Sequence, residues 1–170
     1  MSRTIALIGI SGAGKSKIGR TLAARLGVDL LDVDAEVERR QGRTIADIFA
    51  TDGEAAFRAA ESDVCVEALG RPRTVVSLGG GAPMTPAIAD ALRGVHVVWL
   101  RVSPAVAASR VAGHGDRPLL NDDDLVAKLT RMLDARGATY ARLADQIVDA
   151  DGDDADAKAQ LIAAAAEASV

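Results

Sequence analysis

The sequence Ile5-Ala6-Leu7-Ile8-Gly9-Ile10-Ser11-Gly12-Ala13-Gly14-Lys15-Ser16 predicts a buried strand, a glycine loop and the start of a helix, in that order. The strand is predicted over 3–8 and the helix over 15–26. The loop fits the phosphate-binding pattern G-x-x-x-x-G-K-[ST], in which successive backbone N–H groups surround an anion. Lys15 can reach the β- and γ-phosphates, the Ser16 hydroxyl can ligate Mg²⁺, and the helix dipole favours negative charge. The stretch therefore predicts a nucleoside triphosphate site.

Composition limits what the chain can be. Its 170 residues carry a net charge of −4, with one Cys, one Trp, one Tyr and two Phe. This length predicts one domain over 1–170, and the small number of aromatic residues predicts that its core is aliphatic. The acidic balance argues against nucleic acid or an anionic membrane as a partner, and no apolar run approaches membrane-spanning length. We expect a cytoplasmic monomer that acts on small molecules.

Strand-like and helix-like patterns alternate along the chain. Strands are predicted at 3–8, 29–34, 74–78, 95–101 and 146–149, and helices at 15–26, in pieces over 35–69, after Thr85-Pro86, after Ser103-Pro104, over 124–143 and at the end of the chain. Residues 112–124 hold two glycines, a proline and four acids and predict a mobile segment. The alternation predicts an α/β fold in three layers, with a five-stranded parallel sheet flanked by helices.

In such a sheet, ligands bind at the carboxyl ends of the strands. Asp32 and Asp34 close the second strand. One could hold hydrated Mg²⁺ while the other accepts a proton from an acceptor hydroxyl, or both could simply precede a helix whose dipole they favour. The run of glycines at 79–81 follows the third strand. It indicates either an ordinary turn or a place where a ligand or another backbone passes close to the main chain.

Three arginines are notable against the acidic background: Arg58, Arg117 and Arg136. Each alone is most simply a solvated surface residue. Together they could clamp a substrate carboxylate and a transferring phosphoryl group, because the guanidinium fork matches both. Glu61 follows Arg58 at i+3 and could hold its guanidinium.

Several motifs, in this order, make the chain resemble the shikimate kinases. They are the phosphate loop at 9–16, Asp32-Val33-Asp34, Ile48-Phe49-Ala50-Thr51-Asp52-Gly53-Glu54 with Phe57-Arg58 and Glu61, Gly79-Gly80-Gly81, Arg117-Pro118-Leu119-Leu120, and Arg136 with Tyr140. The phosphate loop alone is shared by many families. The combination is specific, and it extends from the first strand to about residue 149.

The resemblance implies a P-loop, nucleoside-monophosphate-kinase-like fold, with a substrate-binding helical region at about 33–61 and a lid at about 112–124. It implies transfer of the ATP γ-phosphoryl group to the 3-hydroxyl of shikimate, on the route to chorismate, with ATP and Mg²⁺ as cofactors. The implied residues are Asp34, Lys15 and Arg117 for catalysis; Gly12, Ala13, Gly14, Lys15, Ser16, Lys17, Arg110, Arg117 and Pro118 for the nucleotide; Ser16 and Asp32 for the metal; and Asp34, Arg58, Gly79, Gly80, Gly81, Arg136, Phe49, Phe57 and Glu61 for shikimate.

Three features depart from that family's pattern. Lys17 replaces the usual Thr, the Pro common after Arg136 is missing, and the acidic loop at 150–154 gives no basis for adenine contacts. Two alternatives stay open. The amino-acid sequence of the phosphate loop resembles that of gluconate kinases more closely than that of shikimate kinases, although the other gluconate kinase motifs are absent. A P-loop switch module without acceptor chemistry is the other alternative, but it would have no reason to retain Asp34, Arg58 and Arg136 together.

Overall fold

The computed structural model describes residues 3–112 and 122–168. The strands are β1 (Ile5–Ile8), β2 (Asp29–Asp32), β3 (Thr74–Ser77), β4 (His96–Arg101) and β5 (Gln146–Asp149). The helices are α1 (Lys15–Leu26), α2 (Val33–Gln41), α3 (Ile45–Leu69), α4 (Pro86–Leu92), α5 (Pro104–Ala112), α6 (Asp122–Leu143) and α7 (Ala155–Ala168), with a short 3-10 turn at Ala82–Met84.

The five strands form one parallel sheet in the order β2-β3-β1-β4-β5. Every residue of β1 and β3 is buried, as expected for central parallel strands covered on both faces. Helices flank the sheet: α1 packs on β2, β3 and α7, whereas α3 and α6 pack on β3 and β4 respectively. The core is aliphatic, and the predicted three-layer α/β fold is confirmed. None of the described helices is long and apolar enough to cross a bilayer.

The second strand ends earlier than predicted, and this changes the position of one acid. The prediction ran to residue 34, but β2 ends at Asp32 and α2 begins at Val33. The Asp32 side chain caps α2 by accepting a hydrogen bond from Ala35 N at 3.3 Å. Asp34 therefore lies in the first turn of a helix rather than in a strand. β1 also begins later than predicted, at Ile5 instead of residue 3.

Helix starts and breaks agree with the sequence in part. Thr44 caps α3, since its hydroxyl accepts a hydrogen bond from Asp47 N at 3.1 Å. Gly53 breaks the helical geometry inside α3, with φ 85° and ψ 172°, so the predicted separate pieces meet at a kink. Pro86 opens α4, as the pair Thr85-Pro86 predicted, although the Thr85 side chain makes no capping hydrogen bond.

The predicted segment 112–124 is bounded differently on both sides. Ala112 belongs to α5, and α6 begins at Asp122 rather than at residue 124. The remaining part, 113–121, lies outside the described residues and includes both Arg117 and Pro118.

Candidate active site

The glycine loop between β1 and α1 is shaped by backbone geometry that only glycine adopts easily. Gly12 and Gly14 have φ values of 83° and 86°. At Gly12 a Cβ would also lie 2.5 Å from the carbonyl oxygen of Ala107, so the loop passes directly against α5. Ala13 is buried and its N–H donates to Ile10 O at 3.2 Å. The loop is thus closed and packed before any ligand is considered.

Lys15 is the cation of this loop. Its Nζ donates to the carbonyl oxygens of Gly9 at 2.8 Å and Ile10 at 3.0 Å. Burial lowers the pKa of Lys15 to about 8, although the carboxylates of Asp34 and Asp32 act in the opposite direction. The ammonium is therefore charged at neutral pH and is held at the mouth of the loop, where phosphate oxygens would neutralise its desolvated charge.

Ser16 and Asp32 meet beside Lys15. The Ser16 hydroxyl donates to Asp32 Oδ2 at 2.7 Å, which brings the end of β2 to the first turn of α1. Both are hard oxygen donors of the kind that Mg²⁺ prefers. Within residues 3–112 and 122–168, no group of three His, Cys, Asp or Glu side chains could hold a metal alone. The pair fits an ion that binds one or two side chains and takes its other ligands from phosphate and water.

Asp34 is exposed as a residue, but its carboxylate lies against Gly79 and near Asp32 and Lys15. The protein around it raises the pKa of its carboxyl group by desolvation, and the negative charge of Asp32 acts in the same direction; Lys15 opposes both. A carboxylate with a raised pKa is a stronger base than a free one.

Each glycine of the run at 79–81 lies against a different charged side chain. A Cβ on Gly79 would lie 2.7 Å from Glu61 Oε2 and 3.0 Å from Asp34 Oδ1. A Cβ on Gly80 would lie 3.0 Å from a guanidinium nitrogen of Arg136, and one on Gly81 would lie 2.6 Å from a nitrogen of Arg58. None of the three glycines has a positive φ. The run is therefore needed for space, and the groups that pass close are mainly side chains rather than another backbone.

The Arg58 side chain is held in place by residues of its own helix, α3. Its guanidinium donates to Glu61 Oε1 at 2.7 Å and lies 5.2 Å from the Phe57 ring centroid. Glu61 is 1% exposed, and its second oxygen has no partner among the described residues. Burial raises the pKa of Glu61, while the hydrogen bond from Arg58 opposes this. Phe49 stacks on Phe57 with ring centroids 4.9 Å apart and is 39% exposed, so it forms an open wall.

Arg136 reaches the same place from α6. Tyr140, one turn further along, is fully buried and donates its hydroxyl to Gly80 O at 2.5 Å. This bond fixes α6 against the glycine run and sets Arg136 above Gly80. No ion pair within the described ranges involves Arg136. Its charge is therefore available to an anionic ligand.

A cleft of about 610 Å³ extends along the glycine loop. Its lining includes the predicted nucleotide residues Gly12, Ala13, Gly14, Lys15, Ser16, Lys17 and Arg110, together with Asp32 and Asp34. Asp34 thus lies at the junction between this cleft and the group formed by Arg58, Glu61, Arg136 and the three glycines. The predicted residues therefore form two adjoining sites, apart from Arg117 and Pro118, which fall outside the described residues.

Two residues at these sites were not predicted. Tyr140 had no role beyond its place in the motif with Arg136; it packs on Trp99, with ring centroids 5.7 Å apart, and donates a hydrogen bond to Gly80 O. Lys158 lines the cleft from α7. The signal for it was available, because this lysine shares a helix face with the buried Ile162.

Comparison with known proteins identifies the family. The family model described as "Shikimate kinase" matches residues 11–167. A shikimate kinase of Thermobifida fusca is 48% identical over 163 residues, covering 95% of this chain and 94% of its own. The structure of a shikimate kinase from Acinetobacter baumannii in complex with shikimate aligns with a TM-score of 0.91 and 33% identity, covering 98% of this chain and 94% of its own.

A gluconokinase from Sinorhizobium meliloti aligns less well, with a TM-score of 0.58 and 23% identity over 98% of this chain and 94% of its own. Likeness at that identity shows a shared fold alone. The resemblance of the phosphate-loop sequence to gluconate kinases is therefore confined to that loop. The chain belongs to the shikimate kinase family.

Proposed function

We propose that this chain transfers the γ-phosphoryl group of ATP to the 3-hydroxyl of shikimate, giving shikimate 3-phosphate and ADP. The proposal rests on the charged side chains that lie against the glycines at 79–81. They are Glu61 and Asp34 at Gly79, Arg136 at Gly80 and Arg58 at Gly81. Two arginines and a candidate base stand around one small space next to a phosphate loop. That arrangement suits a small acceptor with a carboxylate at one end and a hydroxyl at the other.

The phosphate loop would hold the donor. Backbone N–H groups of 12–16 and the Lys15 ammonium would neutralise the β- and γ-phosphates, and Ser16 with Asp32 would hold Mg²⁺. When bound, that ion would stabilise negative charge developing on the phosphate oxygens. Phosphoryl transfer needs little covalent help from the protein, so alignment and charge neutralisation account for most of the rate enhancement.

On the acceptor side, Arg58 and Arg136 would bind the carboxylate, with Glu61 orienting Arg58 and with Phe49 and Phe57 against the ring. The acceptor hydroxyl would then face the γ-phosphorus near Asp34. As its oxygen bonds to phosphorus and the bond to the ADP oxygen breaks, the hydroxyl proton passes to Asp34. The raised pKa of Asp34 favours this role, because it makes the carboxylate a better proton acceptor.

The remaining assignments extend this proposal. We place Lys17 and Arg110 at the nucleotide because both line the cleft. We assign Arg117 and Pro118 to a lid in the segment between α5 and α6 that supplies charge and excludes water when substrate is bound. We further propose one kinase domain over 1–170, with a substrate-binding region at about 33–61, acting as a cytoplasmic monomer.

An acceptor comparison tests the proposal. ADP release is measured with Mg²⁺-ATP and either shikimate, gluconate or no acceptor. We expect release that depends on shikimate. Turnover with gluconate alone would favour the gluconate kinase alternative, and hydrolysis without an acceptor would favour the switch module.

A further inference from the structure

Lys158 is an unusual residue for its position. It lies in the second turn of α7 and is 8% exposed, between the buried core residue Ala159 and the packed residue Ala155. Its Nζ donates to the backbone oxygens of Ala150, at 3.2 Å, and of Gly152. Burying a lysine is unfavourable unless its donors are satisfied, and here two main-chain carbonyls satisfy them.

Arg110 reaches the same two carbonyls from α5. One guanidinium nitrogen donates to Ala150 O at 2.8 Å, Asp151 O at 3.0 Å and Gly152 O at 3.1 Å. The other nitrogen donates to Gly12 O in the phosphate loop at 3.2 Å. Lys158 and Arg110 therefore both bind backbone carbonyls of the loop between β5 and α7, and Arg110 also connects this loop to the phosphate loop.

Most acidic side chains in and beside that loop accept hydrogen bonds from backbone N–H groups. Asp149 accepts from Asp151 N at 2.9 Å, Asp151 accepts from Ser103 N at 2.7 Å, and Asp154 accepts from Ala157 N at 2.9 Å. Asp153 alone among these acids lines the cleft, with an oxygen 3.5 Å from Arg110. The acids of the loop thus bind backbone N–H groups, whereas the two cations hold its carbonyls at Ala150 and Gly152.

Arg110 joins the loop at 150–153 to Gly12, so this loop meets the phosphate loop at one side of the cleft. Gly152, Asp153 and Lys158 line it together with the phosphate loop, whereas Asp34 lies at the acceptor end. A nucleotide whose terminal phosphate faces Asp34 must extend its nucleoside away from the acceptor. That direction leads to Arg110 and the loop at 150–153.

We propose that Lys158 is a positioning residue for the nucleotide: through Ala150 O and Gly152 O it holds the loop at 150–153 in the shape that lines the nucleoside end of the cleft. This inference rests on the proposed use of ATP. Stability does not require a lysine here, because Arg110 also donates to Ala150 O and Gly152 O, so an apolar side chain of similar size would leave neither carbonyl without a donor. The lysine therefore serves the cleft rather than the core.

The test uses two probes that differ in the nucleoside. Calorimetric titrations with Mg²⁺-ADP and with Mg²⁺-tripolyphosphate are compared for wild type, Lys158→Met and the matched control Lys128→Met, a lysine of α6 that does not line the cleft. For Lys158→Met we expect ADP affinity to fall on the order of tenfold, as for the loss of a hydrogen bond from a charged donor, with tripolyphosphate affinity unchanged. The melting temperature should change little, and Lys128→Met should leave both affinities unchanged.

Lys158→Gln keeps an amide NH2 group as donor without the charge, and its ADP affinity should lie between those of wild type and Lys158→Met. If the methionine variant does not fold, the same comparison of the two probes is made with Lys158→Gln. Unchanged ADP affinity, or equal losses for the two probes, would overturn the role of Lys158. These titrations contain no acceptor, so the inference can fail while shikimate-dependent turnover by the wild type stands. Absence of ADP binding by the wild type would instead overturn the proposed function.

Discussion

Replacing Gly81 by alanine should impair the acceptor site while leaving the nucleotide cleft and the fold nearly unchanged. The new Cβ would lie 2.6, 2.8 and 2.9 Å from three atoms of the Arg58 guanidinium. Unbonded carbon atoms rest about 3.5–4.0 Å apart, so the guanidinium must retreat by about 1 Å. Gly81 has φ −87° and ψ −12°, a conformation that alanine adopts freely. The strain therefore falls on the end of a flexible side chain rather than on the backbone.

The size of the effect follows from what Arg58 holds. Hydrogen bonds to a charged group contribute about 1.5–3 kcal/mol, so loss of the Arg58 contact should lower kcat/KM for shikimate about 10- to 150-fold. KM for ATP should not change, because Gly81 does not line the nucleotide cleft. The free energy of unfolding should fall by less than about 1 kcal/mol.

Two other glycines supply controls. At Gly94 a Cβ would meet nothing closer than Ala91 O at 3.8 Å, so alanine there should alter neither activity nor stability. At Gly12 it would meet the backbone of Ala107 at 2.5 Å with φ at 83°, so alanine there should lower stability by about 1–3 kcal/mol. Initial rates over both substrates, with thermal unfolding, distinguish the three variants. An unchanged kcat/KM for shikimate in folded Gly81→Ala would refute the reasoning.

Three further predictions concern the donor side and the base. Because the pKa of Lys15 is lowered to about 8, its amine is largely neutral at about pH 8.5, and bound phosphates should restore the proton. ADP binding there should take up a proton, seen as a binding heat that depends on the buffer, and Lys15→Met should abolish it; a buffer-independent heat in the wild type would contradict this. Asp34→Asn should lower kcat about 10²- to 10⁴-fold, keep ADP affinity, and remove the acid limb of the pH profile, which the raised pKa places above the usual carboxylate range. Asp32→Ala should raise the Mg²⁺ concentration needed for half-maximal rate, and an unchanged Mg²⁺ dependence would argue against its contact with the metal.

The sheet was predictable because parallel strands covered on both faces leave nearly continuous apolar runs between helical patterns. The end of β2 was not, since an aspartate that closes a strand and one that caps a helix look the same in sequence. Asp32 is both, and Asp34 therefore lies in the first turn of α2. Whether such an aspartate ends a strand or caps a helix depends on its three-dimensional surroundings, which a single sequence does not show.

The candidate site shows the same limit at longer range. The glycine run indicated that something passes close, but the nearby groups come from α2, α3 and α6, which are distant in the chain. Lys158 was missed because a lysine in an alanine-rich helix resembles a surface residue. Its partners are carbonyls of a loop whose composition indicated only exposed acid.

The central claim is that Arg58 and Arg136 recognise the carboxylate of a small acceptor beside the phosphate loop. The most direct measurement compares kcat/KM of the wild type for shikimate and for its methyl ester, which keeps the ring and hydroxyls but removes the charge. We predict a loss on the order of 100-fold for the ester, as for losing hydrogen bonds to a charged group, with KM for ATP unchanged. An ester phosphorylated as efficiently as shikimate would contradict the claim.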